Sequence, residues 1–109
     1  MNLITRIFTI LSLSLISISA FGNEVQKIKI VCLGDSLTEG YGISREKAYP
    51  ALLQAKFDSK YKDQVEVINA GISGSTTASA ESRLKWFLKT KPEILFLALG
   101  ANDGLRGVD

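Results

Sequence analysis

Histidine is absent from this sequence. Any proton transfer in which these residues take part must use a base other than an imidazole of this chain. Cysteine occurs once, at Cys32, inside an apolar run. A single cysteine closes no internal disulfide and makes no metal site by itself, so Cys32 reads as a small buried hydrophobe. Basic residues number 13 against 11 acidic ones, a formal net charge of +2. They are scattered, with no basic stripe interleaved with aromatics, so nucleic acid is not expected as a partner. No Gly-Lys-Ser/Thr signature of a phosphate-binding loop occurs. The segment "GYGISR" offers Gly40 and Gly42, but no third glycine completes a dinucleotide fingerprint. A nucleotide-binding module is therefore the weakest of the functional alternatives.

What is present is ordinary soluble composition, 46% hydrophobic and 22% charged, in a chain of 109 residues. That length permits one small domain. The first residues read as a targeting segment. Arg6 supplies a positive start, and "IFTILSLSLISIS" follows as an apolar run. The run is short and serine-rich for a membrane span and suits a secretory signal. Ala20 and Gly22 fit the small positions of a signal peptidase site. Residues 1–22 are thus expected to be a cleaved signal peptide, leaving no stable membrane span. Export implies a periplasmic or secreted bacterial protein.

Residues 23–109 alternate between strand and helix patterns. "KIKIVCL" (Lys27 to Leu33) is β-branched and bounded by Gly34, a first strand. Tyr49, Leu52, Leu53 and Phe57 fall at helical spacing, with Pro50 in the first turn. "QVEVIN" (Gln64 to Asn69) alternates as a second strand. Ala80, Leu84, Phe87 and Leu88 outline a second helix, followed by Lys89, Lys91 and the stop signal Pro92. "EILFLALG" (Glu93 to Gly100) is a third strand, almost continuously apolar, as expected of a strand covered on both faces. The order β-α-β-α-β implies an α/β fold with a parallel sheet and right-handed crossovers. Ending soon after so apolar a strand leads to the expectation of a truncated domain.

In an open α/β sheet, ligands bind outside the carboxyl ends of the strands. Three polar, glycine-rich stretches occupy that edge here. They are "GDSLTEG" after the first strand, "GISGST" after the second and "GANDG" after the third. Taken singly, each has a plain structural reading. Ser36 suits a helix cap or a turn, Gly74 a positive φ, and Asn102-Asp103-Gly104 a turn. Taken jointly, they have the parts of an acyl-transfer site. A reactive serine needs donors aimed at the oxyanion of its tetrahedral intermediate. A backbone N–H at a glycine and an asparagine amide are suitable donors.

"GDSLTEGYG" resembles the first block of the GDSL, or SGNH, hydrolases. Ser36, Gly74 and Asn102 stand in that family's order, each after the appropriate strand. "AYPALLQAKF", "VINAGISGST" and "LGANDGLRG" are similar to the bacterial subgroup with arylesterase, thioesterase and lysophospholipase members. The resemblance covers nearly all of the chain after the signal. It implies a flavodoxin-like three-layer α/β/α fold, cut short after the third strand. It also implies Ser36 as nucleophile, with the N–H groups of Ser36 and Gly74 and the Asn102 side chain as the oxyanion hole. The implied activity is serine ester hydrolysis of acyl esters or thioesters, with a small acyl ester as the binding partner and no metal or organic cofactor. An SGNH-type carbohydrate acetylesterase is the alternative enzyme. A non-catalytic remnant of the fold is the alternative outside enzymes.

The departure is the family's fourth block, Asp-x-x-His, which supplies base and orienter. This chain contains no histidine, and a serine hydroxyl is a weak nucleophile until a base takes its proton. The fold expectation survives this; activity of these residues alone does not follow. Asp35 adjoins Ser36, but neighbouring side chains diverge, so Asp35 and Asp103 are expected to order loops. Trp86 is expected to pack or cover surface, and Tyr41 has a minority reading as a wall of an acyl pocket.

Overall fold

The computed structural model describes residue 22 and residues 25–108. Apart from Gly22, the expected signal segment lies outside the described residues. β1 (Ile28–Gly34), β2 (Val65–Gly71) and β3 (Ile94–Ala98) form one parallel sheet in the order β2-β1-β3. Between them run α1 (Ser36–Glu39), α2 (Tyr49–Tyr61) and α3 (Ala80–Leu88), and α4 (Ala101–Arg106) follows β3. Two short 3-10 turns, Arg45–Lys47 and Thr77–Ser79, lead into α2 and α3. The strand order is that of the first three strands of a flavodoxin-like sheet. Among the described residues no helix is long and apolar enough to cross a membrane.

β1 is the central strand, and its alternating side chains build a core on each face of the sheet. Ile30 and Cys32, with Val65, pack beneath Tyr49 and Phe57 of α2. Val31 and Leu33, with Ala70, pack beneath Leu84 and Phe87 of α3 and against Leu99. The two crossover helices therefore lie on opposite faces, which gives the expected α/β/α layers. Cys32 is free and fully buried, and burial pushes its thiol pKa up.

β3, the most apolar strand, is an exposed edge among the described residues. It pairs with β1 on one side only, and Phe96 and Leu97 are 53% and 58% exposed. Two expectations about the helices and turns need correction. Leu52 of α2 and Leu88 of α3 face outward. The inward line of α2 is Tyr49, Leu53 and Phe57, spaced by fours, which leaves Leu52 beside the stripe. Finally, two stretches read as loop or turn each begin a short helix. α1 starts at Ser36 because Asp35, 2% exposed, caps it by accepting the Leu37 N–H at 2.9 Å.

Candidate active site

The sheet register brings the three glycine-rich stretches to one edge. Gly34 of β1 pairs with Gly71 of β2 and with Ala98 of β3, so the three strands end in a row. Ser36 is the first residue of α1, half-buried beyond the end of β1. Gly74 lies in the loop beyond β2, and Asn102 is the second residue of α4 beyond β3.

Ser36 occupies a helix N-terminus, where backbone N–H groups lack intrahelical partners. Asp35 takes up the Leu37 N–H, and the Asp35 carbonyl accepts from Thr38 and Glu39 at 3.2 and 2.9 Å. The Ser36 N–H and hydroxyl donate to no group among the described residues.

The loop after β2 contains a tight turn. The Ser75 N–H donates to the Ile72 carbonyl at 3.2 Å, with Ser73 and Gly74 in the two middle positions. Gly74 has φ +78°, as the third residue of a type II turn requires, and glycine adopts this without strain. The N–H groups on either side of Gly74 are engaged. Ser73 donates to Glu39 Oε2 at 2.7 Å and Ser75 to Ile72. The Gly74 N–H has no acceptor among the described residues.

α4 is stitched to this loop. The Asn102 Nδ2 donates to the Ser75 carbonyl at 2.9 Å, and Arg106 Nη2 to the Gly74 carbonyl at 2.9 Å. The Asp103 carboxylate accepts the Thr77 N–H at 3.0 Å and the Thr77 hydroxyl at 2.6 Å. These bonds from the Thr77 hydroxyl and N–H hold the Asp103 pKa below the usual carboxylate range. Asp103 thus orders the loop, as expected. Gly74 and Asn102 are brought together through Ser75. The amide of Asn102 carries two hydrogens, and the Ser75 carbonyl takes one of them.

At the start of α1 a cavity of about 240 Å³ is lined by Asp35, Leu37, Thr38, Tyr49, Ala98 and Leu99, with Ala101, and its lining does not include Ser36. It opens between the carboxyl ends of β1 and β3, where strand order switches in this topology. Tyr41 lines a different depression, with Glu39, Arg45 and Asn69. Trp86 is 60% exposed and stacks edge-on with Phe87, which agrees with surface cover.

Two side chains important to this edge were not singled out in the sequence. Arg83 of α3 reaches the strand ends, where its Nη2 donates to the Gly34 carbonyl at 3.1 Å and to the Ala70 carbonyl. Its Nε and Nη1 are buried without a partner among the described residues, and burial lowers its pKa. Glu39 is the other, through its bonds to the Ser73 N–H and hydroxyl. A lone arginine on an apolar helix face was the available signal for the first. Glu39 lies inside the quoted "GDSLTEG" stretch, but nothing local announces a partner 34 residues away. Among the described residues, no cluster of three or more His, Cys, Asp or Glu side chains is placed to hold a metal ion.

Residues 32–109 match the sequence pattern of the GDSL-like lipase/acylhydrolase family. An arylesterase of Vibrio mimicus is 45% identical over 80 residues, covering 72% of this chain and 40% of that protein. The thioesterase 1/protease 1/lysophospholipase L1 of Escherichia coli K12 is 46% identical over 79 residues, covering 72% of this chain and 36% of the enzyme. The crystal structure of AlinE4, an SGNH-hydrolase family esterase, superposes with a TM-score of 0.68 at 40% identity, covering 77% of this chain and 46% of that one. The chain therefore spans less than half the length of the relatives it matches. With the parallel sheet, the strand order and the match over residues 32–109 all in accord, the chain belongs to the GDSL-like lipase/acylhydrolase family.

Proposed function

We propose that this sequence supplies the nucleophile and oxyanion hole of a serine ester hydrolase acting on acyl carboxylic esters and thioesters. The observation that carries the reading is a set of free donors at one sheet edge. The N–H groups of Ser36 and Gly74 have no acceptor among the described residues, and the Asn102 amide is tied to the same loop. The names of the Vibrio and Escherichia relatives support the acyl ester and thioester class.

In this reading the Ser36 Oγ attacks the carbonyl carbon of the ester. The carbonyl π bond opens, and its electron pair moves to oxygen. The Ser36 and Gly74 N–H groups and the Asn102 amide receive that oxyanion. A base takes the Ser36 proton and returns it to the leaving alcohol or thiol as the tetrahedral intermediate collapses. Water then hydrolyses the acyl-serine by the same route. The base belongs to the family's Asp-x-x-His block, because this chain has no histidine. Asp35 is given a different role, since its Oδ1 caps α1 by accepting the Leu37 N–H.

The test joins the whole chain to a family C-terminal segment that carries Asp-x-x-His and measures hydrolysis of a short-chain chromogenic aryl ester. The completed enzyme turns over, whereas the chain alone shows little or no Ser36-dependent activity. Ser36→Ala abolishes turnover. Asn102→Ala lowers kcat by roughly 10² to 10³, the effect of one lost oxyanion donor, with a smaller effect on KM. Full activity after Ser36→Ala would return the "GDSL" stretch to a structural turn.

A further inference from the structure

The Ser36 N–H and the Gly74 N–H are carried by different segments. One starts α1, and the other sits in the turn after β2. A pair of donors can stabilise an oxyanion only if both are held in position before the charge develops. Within the described residues, a carboxylate couples the two segments directly. Glu39 is the last residue of α1, three positions after Ser36. Its Oε2 accepts the Ser73 N–H at 2.7 Å and the Ser73 hydroxyl. Ser73 immediately precedes Gly74 in the turn, so the path from one donor to the other is short: Ser36, one helical turn, Glu39, Ser73, Gly74.

We propose that Glu39 is a positioning residue for the oxyanion hole, fixing the Gly74 turn to the helix that carries the nucleophile. This rests on the functional reading given above. Glu39 adds to anchors of different kind, among them the bonds from Asn102 and Arg106 to the Ser75 and Gly74 carbonyls, which hold the turn from the side of α4. The Asn69 Nδ2 donates to the Thr38 carbonyl at 3.0 Å, which ties α1 to β2 but does not reach the turn. Asp103 holds the far end of the loop through Thr77. Glu39 alone of these grips the residue next to Gly74 from the nucleophile's side. It also consumes the Ser73 N–H. Without that acceptor, the Ser73 N–H would be a third unbonded donor beside Gly74, and the turn would lose its direct tie to α1.

Glu39 is exposed, so its role is separable from folding. The expected signature is a change in kcat with little change in KM or in thermal stability. In the completed enzyme, Glu39→Ala lowers kcat about five- to twentyfold while KM stays within about twofold, as expected for a small misplacement of one donor. Glu39→Gln keeps an acceptor oxygen and recovers most of that loss. Ser73→Ala lowers kcat by a smaller factor, and adding it to Glu39→Ala costs nothing further, because both act through one contact. Ser36→Ala in the same protein separates the two claims. If it leaves activity intact, the functional reading fails. If it abolishes activity while Glu39→Ala keeps full kcat, only the positioning role fails. A rise in KM without loss of kcat, or a loss of kcat that follows a fall in melting temperature, also overturns it.

Discussion

Gly71 is the point where β2 touches α1, the helix that begins at Ser36. A Cβ built there would stand 2.1 Å from the Glu39 nitrogen and 2.7 Å from both Glu39 Cα and the Thr38 carbonyl carbon. Heavy atoms make unstrained contact at about 3.5 Å or more, so Gly71→Ala demands an opening of roughly 1 Å or more. All three obstructing atoms are main chain, so no side chain can swing aside. β2 is held in the ladder by the pairing of Gly71 with Gly34. α1 is the shorter element and has to give way, although Thr38 is fully buried and its hydroxyl meets the Tyr49 hydroxyl at 3.2 Å.

Overpacking of this kind costs about 1–3 kcal/mol. A displacement of about 1 Å at a reacting group costs on the order of 10² in rate. Gly71→Ala in the completed enzyme is therefore expected to lose stability in that range and most of its turnover. Urea unfolding and chromogenic ester hydrolysis measure the two effects. Gly104→Ala is the control. It lies within α4, its new Cβ meets nothing within 4 Å, and it should gain up to about 1 kcal/mol from helix propensity. Wild-type stability and turnover in Gly71→Ala would refute the close approach of β2 and α1.

Asp103 titrates below its ordinary range because Thr77 donates to it twice. A depressed carboxyl pKa stabilises the fold above the unfolded value and loses that contribution as pH falls through the folded value. The Asp103→Asn variant should therefore show a shallower loss of stability below about pH 4, read as urea midpoints across an acid series. The β3 edge gives another expectation. With Ile94, Leu95, Phe96 and Leu97 exposed, the chain by itself should self-associate, and Leu97→Lys should reduce that association in sedimentation experiments. A monodisperse wild-type monomer with a sharp two-state transition would overturn this.

The sequence made the strands legible because each is a short β-branched or apolar run closed by glycine or a polar turn. Their observed bounds, Ile28–Gly34, Val65–Gly71 and Ile94–Ala98, differ from the expected ones by one or two residues. The two long helices were legible from apolar spacing, but Leu52 and Leu88 were not placed correctly. Periodicity marks a stripe wider than the face a thin sheet can cover. α1 and α4 were hidden because Asp-Ser and Asn-Asp-Gly are turn formers as readily as they are helix starts. The Glu39–Ser73 and Arg83–Gly34 bonds span 34 and 49 residues. Polar pairs that distant leave no periodic trace in one sequence.

Under the proposed function, those distant bonds help suit the edge to an oxyanion. The carboxyl ends of parallel strands present carbonyl oxygens, which repel a developing negative charge. Here several of the carbonyls at this edge are occupied from within. Gly34 accepts from the Ile72 N–H at 3.1 Å and from Arg83, and Ala70 accepts from Arg83 as well. Ser36 accepts from the Gly40 and Tyr41 N–H groups, each at 3.0 Å, and Ile72 accepts from Ser75. Arg106 takes the Gly74 carbonyl and Asn102 the Ser75 carbonyl. With these acceptors filled, the groups left unpaired among the described residues include the N–H of Ser36 and the N–H of Gly74. The guanidinium of Arg83 adds fixed positive charge behind the strand ends, because arginine stays protonated even when burial lowers its pKa. The edge thereby loses several of its open acceptors and keeps unpaired donors. Arg83 and Arg106 contribute to this, so under the proposed function the chemistry of the edge extends beyond the serine, glycine and asparagine that first mark it.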